Sequence, residues 1–450
     1  MMKLRTHVPK VDGHGVHREI TAEETWSRVE PHLLRAGVTR VADITWLDRI
    51  GIPVYNAISP RSNDIISVYN GKGMTPLQAK TSAVMEAMER FSAWLPRMPA
   101  VIASYRELRA EGRSVMHPAE YLLELAPHYS DDLPFSWAQG HDLLSGEPVL
   151  VPQDAAGYVA KYHEAPCYRI TTTNGLASGN SLEEAVCHAL CEVIERDAIT
   201  ISELLSTKLG RVLEGDDRAE HTSAITGWLK EQHPHVDIDT LPPRAKELVA
   251  RVREARLEMR VVQLTNDIGV PTFAAATTEA LTAASAHNHA GFGTHPDAEV
   301  AIVRAISECA QGRAVDIQAM REDISLPGTK VPKHMLHVHR SATVDANGWL
   351  WKPANKILDA REIPSFRHGD VMDDVRFMLD RLRAIGMTRA IVVDLSPPQI
   401  PVSVVRLLVP GLESWGVDHS RLGRRAATAW NRSVRTAAEL DRRLSLAEAG

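Results

Sequence analysis

Apolar positions three and four residues apart mark the first element. In "TAEETWSRVEPHLLRAGV" (21–38), Trp26, Val29, Leu33 and Leu34 predict a helix, and Thr21 with Glu24 forms a capping-box pattern at its start. "VADITWLD", "IPVYNAIS" and "DIISVYN" (64–70) then read as short strands. "MHPAEYLLEL" reads as a short helix. "PVLVP" (148–152) and "YRITTTN" (168–174) read as strands before a Gly-rich turn. "MRVVQLTN" and "VPTFAAATT" predict a strand pair, and "ALTAASAHNHAGFGTHP" is a small-residue stretch leading into a helix. "DVMDDVRFMLDRLRAIG" (370–386) predicts a helix feeding the strand "RAIVVDL" (389–395). Residues 415–450 are polar and Arg-rich and read as a helix plus a loose tail. Strands and helices mix throughout, so the expected class is α+β (mixed α/β) with substantial sheet.

Composition changes this picture little. The chain of 450 residues is 44% apolar and 24% charged, enough for a large core. A net charge of -6 and 5% aromatics argue against a nucleic-acid partner. No window reaches the length of a membrane span, and the N-terminus lacks the apolar run of a secretory signal. Four cysteines (Cys167, Cys187, Cys191, Cys309) make no disulfide scaffold and point to a reducing cytoplasm. Cys187, His188 and Cys191 lack the second ligand pair of a zinc site and read as packing residues. His295, at the start of a helix, reads as a cap or packing residue.

The chemistry lies in a helix that recurs. "GKGMTPLQAKTSAVMEAMER" (71–90) has Thr75 as a cap, Gln78 three residues on, and Glu86 eleven residues on. "NGLASGNSLEEAVCHALCEVIERDA" (174–198) repeats this with Ser181, Glu184 and Glu192, and Glu195-Arg196 matches Glu89-Arg90. "GFGTHPDAEVAIVRAISECAQGRA" (291–314) is a third copy: Asp297 caps, Glu308 lies eleven residues later, and Gln311 replaces the second Glu. A fixed cap fixes where the distal carboxylates point. A single such helix would be read as a solvated face. Three copies with small or apolar flanks predict buried carboxylates, which must be paired or hold cations. Several Glu, two Arg and a Gln beside Gly-rich starts suggest magnesium with a nucleotide triphosphate. The start "NGKG" is not a P-loop, because Ile66 stands where that motif needs its first Gly.

These motifs resemble the YcaO family. Ser82, Glu86, Glu89 and Arg90 match its Ser-x3-Glu-x2-Glu-Arg element. Asn180, Glu184, Glu192, Glu195 and Arg196 match its second element, and Arg304, Glu308 and Gln311 its third. Arg18 and Thr25 fall where the family places a basic residue and a hydroxyl near the nucleotide. "VVRLLVPGLE" resembles a late family element. The resemblance covers roughly residues 15–425 and implies an N-terminal region (1–62), a catalytic domain (63–425) and a C-terminal tail (426–450). It also implies an ATP- and Mg2+-dependent enzyme that activates a peptide backbone amide. In such a site Glu86, Glu89, Glu192, Glu195 and Glu308 would hold magnesium, and Arg90, Arg196 and Arg304 would meet phosphates. Ser82, Asn180, Glu184, Arg18, Thr25 and Gln311 would help position nucleotide or metal. Catalysis would rest on Glu86, Glu89, Glu192, Glu195 and Arg304.

The family divides by nucleophile. External sulfide gives a thioamide, a substrate side chain gives an azoline, and an amine gives an amidine. The N-terminal run "TAEETWSRVEPHLLRAGVTRVADITWLDRIGIPVYNAISP" resembles stand-alone members that act with a TfuA-type partner. The ending "RRLSLAEAG" lacks the Pro-rich tail of azoline-forming members. Thioamidation of a precursor peptide with a sulfur donor is therefore the expectation, with cyclodehydration to an azoline or macrocyclic amidine as the alternative. A Mg-dependent small-molecule phosphotransferase and a non-catalytic nucleotide-binding scaffold are the readings from other classes. A homo-oligomer is left open.

Overall fold

The computed structural model describes residues 2–13, 16–60, 66–158, 166–209, 228, 231–282, 285–319, 348–351, 354, 356–415 and 421–448. In chain order these form β1 (Val11–Gly13), β2 (Val16–Arg18), α1 (Ala22–Val29), β3 (Arg40–Asp43), β4 (Val54–Ile58), β5 (Val68–Lys72) and α2 (Pro76–Trp94). Then follow β6 (Val101–Ala103), α3 (Tyr105–Ala110), β7 (Phe135–Asp142), β8 (Pro148–Pro152), α4 (Gln153–Ala156), β9 (Leu176–Gly179) and α5 (Leu182–Glu203). The third stretch holds β10 (His235–Val236), α6 (Pro243–Glu254), β11 (Glu258–Gln263), β12 (Thr272–Thr282), β13 (Ser285–Thr294) and α7 (Ala298–Ala319). The last holds β14 (Ile357–Leu358), α8 (Val371–Ala384), β15 (Ile391–Asp394), β16 (Ser403–Leu408) and α9 (Arg424–Glu448). The mixed α/β class is the observed one.

Three sheets carry the fold, beside the small β1–β2 hairpin. Their strand orders are β3-β4-β5, β13-β12-β11-β10-β14, and β6-β7-β15-β16-β9 with β8 on the other side of β7. The sheet that holds β15 and β16 is buried on both faces, and these strands accordingly read as near-continuous apolar runs. Ile391, Val393, Val404 and Leu408 face the core beneath α2, while Val392, Val405 and Leu407 face α5 and α8. A third core packs α6 and α7 on β11 and β12.

β5, β9 and β13 are each the edge strand of their sheet, and each leads directly into a long helix. The resulting strand–helix units interlock in a ring: α2 touches β9, α5 touches β13, and α7 touches β5. Close packing inside each unit comes from one small-residue register. Counting from the caps Thr75, Ser181 and Asp297, Ala79, Ala185 and Ala301 stand four residues on, and Ala83, Ala189 and Ala305 eight on, all 0% exposed. Opposite them, four residues before each cap, the strands carry Gly71, Ala177 and Gly293. A Cβ on Gly71 would lie 2.1 Å from the Ala83 nitrogen, and one on Gly293 2.1 Å from the Ala301 oxygen. Only glycine lets those helices lie this close to their strands.

Four segments depart from the pattern reading. "MHPAEYLLEL" forms only a 3-10 turn over Pro118–Glu120 and then bends irregularly, with Tyr121 and Leu123 buried and Glu124 exposed. "YRITTTN" is irregular, because its carbonyls are bound by a side chain: Arg406, fully buried, donates to the oxygens of Thr172 at 2.6 Å and Asn174 at 2.7 Å. β9 and β13 replace what reads as turn and small-residue stretch.

Candidate active site

The helix caps set the geometry. Thr75 closes a full capping box with Gln78. Ser181 accepts from the Glu184 amide, but the buried Glu184 side chain accepts from the backbone and side-chain amides of Asn180 at 2.9 and 3.0 Å. Asp297 accepts from the Glu299 amide at 2.9 Å, so the third cap is also real. From these starts the three helices present matching positions. Seven residues on stand Ser82, His188 and Arg304. Eleven on stand Glu86, Glu192 and Glu308. Fourteen on stand Glu89, Glu195 and Gln311.

The interlocked ring brings these stripes together. Burial pushes Glu89 well above the usual carboxylate range, and the carboxylates of Glu192 and Glu86 push it further. Burial likewise raises Glu192 against the pull of Arg196, Arg406, Arg90 and Arg304. Glu195, 4% exposed, rises to about 7 through burial and the nearby Glu308. Burial acts to raise Glu308 too, but the Lys72 ammonium, Arg196 and the Phe292 amide outweigh it and leave Glu308 below its ordinary value. Lys72 on β5 forms an ion pair with Glu308, and the Phe292 amide donates to the same carboxylate at 3.2 Å.

Cations ring the carboxylates. Arg196 lies 3.7 Å from Glu192, and Arg90 sits over the Tyr158 ring at 5.1 Å. Arg304 reaches His188 Nε2 at 3.3 Å. Burial and the surrounding Arg304, Arg18 and Lys72 hold that imidazole well below its usual pKa, so it is neutral and accepts from Arg304. Gln311 donates to the Asn70 oxygen at 3.3 Å, tying α7 to β5. At the near end of α5, Arg18 lies 3.8 Å from Glu184, which also accepts from the Glu19 amide. Ser82 is half-buried on the α2 stripe. Thr25 is placed differently: its buried hydroxyl donates to the Thr21 oxygen within α1, and no described polar contact links it to the carboxylates.

Lys72 and His188 are site residues that the motifs do not announce. Lys72 stands in a glycine-flanked run that fails as a P-loop, and a lone His on a helix is usually a packed core residue. The register counted from the caps is the signal that would have found His188, since it occupies the place of Ser82 and Arg304.

The donor set fits magnesium and a polyphosphate. Five carboxylates offer hard oxygen ligands. Among the described residues, Glu195 Oε2 and Arg304 Nε are buried without a hydrogen-bond partner. Such orphaned charges are what a bound cation and anion would satisfy. A second group, Cys187, His295 and Asp374, has its polar atoms within 4.8 Å of one another. It does not fit a metal, because the Lys10 ammonium, 2.5 Å from Asp374, already occupies the cation's place.

Over residues 70–413 the chain matches the family described as YcaO cyclodehydratase, ATP- and Mg2+-binding. The chain belongs to the YcaO family. An uncharacterized protein in the tfuA 3' region of Rhizobium leguminosarum bv. trifolii is 34% identical over 406 residues, spanning 88% of each chain. The structure of YcaO from Methanopyrus kandleri, bound with AMPPCP and Mg2+, is 25% identical with a TM-score of 0.65, covering 93% of this chain and 98% of that one. A heterocyclase in complex with substrate and cofactor has the same fold, with a TM-score of 0.70 at 23% identity over 92% of this chain. The present chain spans only 54% of that heterocyclase. YcaO enzymes are ATP- and Mg2+-dependent, and peptide modification is the family's chemistry. Among the described residues no helix is long and apolar enough to cross a membrane.

Proposed function

We propose that this YcaO chain forms thioamides in a precursor peptide, using ATP to carry off the amide oxygen and an external sulfur donor as nucleophile. One observation carries the ATP-dependent part: five carboxylates and a ring of arginines and a lysine converge from three helices with matched caps, and the carboxylates repel one another in the absence of a cation. Glu86, Glu89, Glu192 and Glu195 are the magnesium ligands of this reading, with Glu308 on the third helix. Bound magnesium and ATP supply the phosphoryl group and the charge that neutralises these carboxylates. Arg90, Arg196 and Arg304 hold the phosphates, with Ser82, Asn180, Glu184, Arg18 and Gln311 around the nucleotide. Sulfur adds to the amide carbon, the amide oxygen takes the γ-phosphoryl group, and phosphate then departs with that oxygen. Arginines fixed beforehand by His188 and Glu192 stabilise the charge that develops during transfer.

The sulfur branch is supported by the relative encoded beside tfuA and by the N-terminal run. A TfuA-type protein would be the partner that delivers sulfur, in a cytoplasmic setting that suits four buried free thiols. The test follows phosphate release from ATP with candidate precursor peptides and sulfide, alongside peptide mass. A mass gain equal to sulfur minus oxygen supports the proposal. Loss of one water instead moves the assignment to azoline or amidine formation. Turnover indifferent to every peptide points to a small-molecule phosphotransferase.

A further inference from the structure

We propose that the solvent face of α9 is a docking surface for an acidic segment of the peptide substrate; this deepens the reading above and rests on it. α9 is an amphipathic helix. Ala426, Ser433 and Ala437, seven and four residues apart, are buried on one side. Arg424, Arg432, Arg435, Arg442 and Arg443 are all exposed. At 3.6 residues per turn they fall within an arc of about 100° on the opposite side. Glu439 shares that arc.

Glu439 compensates the five arginines only in part. Elsewhere exposed arginines pair with local carboxylates, as in Arg106–Asp132, Arg169–Glu124, Arg376–Asp373 and Arg383–Asp380. Among the described residues Arg424, Arg432, Arg435 and Arg443 have no carboxylate partner, and Arg442 donates only to the Ala438 oxygen. The chain as a whole carries a net charge of -6, so this face is a local exception that attracts anions while the rest repels them. From Arg424 to Arg443 the helix rises about 28 Å. An extended segment of about eight or nine residues matches that length.

α9 is also rigidly tied to the active-site helix. Arg425 grips Asp197, the residue after Arg196, with two bonds of 2.8 Å, and Asn266 holds the same carboxylate at 2.8 Å. Glu413 caps the start of α9 through the amides of Gly423 and Ala426, both at 2.8 Å. A peptide lying on the stripe is therefore held at a fixed place relative to Glu192, Glu195 and Arg196.

The experiment measures binding of a fluorescent peptide of about ten residues, alternating Glu and Ser, by anisotropy and without ATP. The full-length chain is compared with Arg432→Glu/Arg435→Glu/Arg442→Glu and with the triple Gln variant. Expected are wild-type binding that weakens as salt rises, a loss of about tenfold or more on charge reversal, and an intermediate loss for Gln. Unchanged helicity and unchanged basal ATP turnover show that the variants are folded. No wild-type binding, equal binding by all three proteins, or tighter binding of an oligonucleotide of the same charge would overturn the proposal. Because ATP is absent, this result is separate from failure of the thioamidation reading, which phosphate release decides.

Discussion

Two buried polar clusters are opposite in kind, one around Asp374 on α8 and His295 just before α7, the other along α2, α5 and α7. At the helix starts, Asp374 is bound by Lys10 at 2.5 Å, His368 at 2.8 Å and His295 at 3.3 Å, and it lies below its ordinary value, at about 2. Its burial alone would raise it, but the bond and charge of His295 and the Lys10 ammonium reverse the sign. Asp374 is ion-paired from within this cluster, which fastens the N-terminal segment over the caps. Arg5 adds to the same strap by bridging Glu19 and Glu183. Three turns along, Glu89, Glu192 and Glu195 are all raised. There burial, joined at Glu89 and Glu195 by neighbouring carboxylates, outweighs the surrounding cations. A protein that builds a quiet cluster so close by has the means to build two. The raised, incompletely paired carboxylates at the second are therefore the mark of a site completed by something from outside.

The contrast is broken most strongly at Asp374. Asp374→Ala leaves Lys10, whose side chain is 5% exposed, buried without its carboxylate. The expected loss is about 3–5 kcal/mol of folding stability, read by denaturant unfolding. Glu89→Gln should do the reverse. Peptide-dependent ATP turnover should fall by a factor of about 100–1,000, while the metal-free protein unfolds at the same or a higher denaturant concentration. If Glu89→Gln destabilised the fold as Asp374→Ala does, the two clusters would not differ in kind.

The pH dependence sharpens the same point with a smaller effect. Glu195 is raised from 4.5 to about 7, so its contribution is present below the unfolded value and lost as pH rises through about 7. His17, beside His295, is lowered from 6.5 to about 4, mainly by burial, so its contribution is present above 6.5 and lost as pH falls through about 4. Metal-free protein should lose about 1–3 kcal/mol between pH 5 and pH 8 through the carboxylates. Glu195→Gln should flatten that slope while leaving the acid limb set by His17. Thermal unfolding across pH in chelator checks both.

The spacing of the carboxylates was legible because caps and helical periodicity are local, and a count of eleven from cap to Glu survives any tertiary arrangement. β9 and β13 were not legible. "LASG" and "SAHNHAGFGT" are poor in the branched residues that signal strands, for a physical reason: Ala177 and Gly293 must be small so that a helix can lie against them. The small residues that build the site hide its strands. Arg406 sits within β16, and its role in binding the carbonyls of residues 172 and 174 needs contacts distant in sequence. The role of Lys72 needs α7 placed against β5, whereas the register counted from the caps already marks His188.

The most direct test of the central claim is calorimetric titration of Mg2+ with a non-hydrolysable ATP analogue at pH 6, in two buffers of different ionisation enthalpy. Raised carboxylates must shed protons to hold a cation, so we expect tight binding with net proton release to the buffer, and loss of both in Glu89→Gln/Glu195→Gln. Binding without proton release that survives in that variant would show that the excess carboxylates are not the magnesium–nucleotide site.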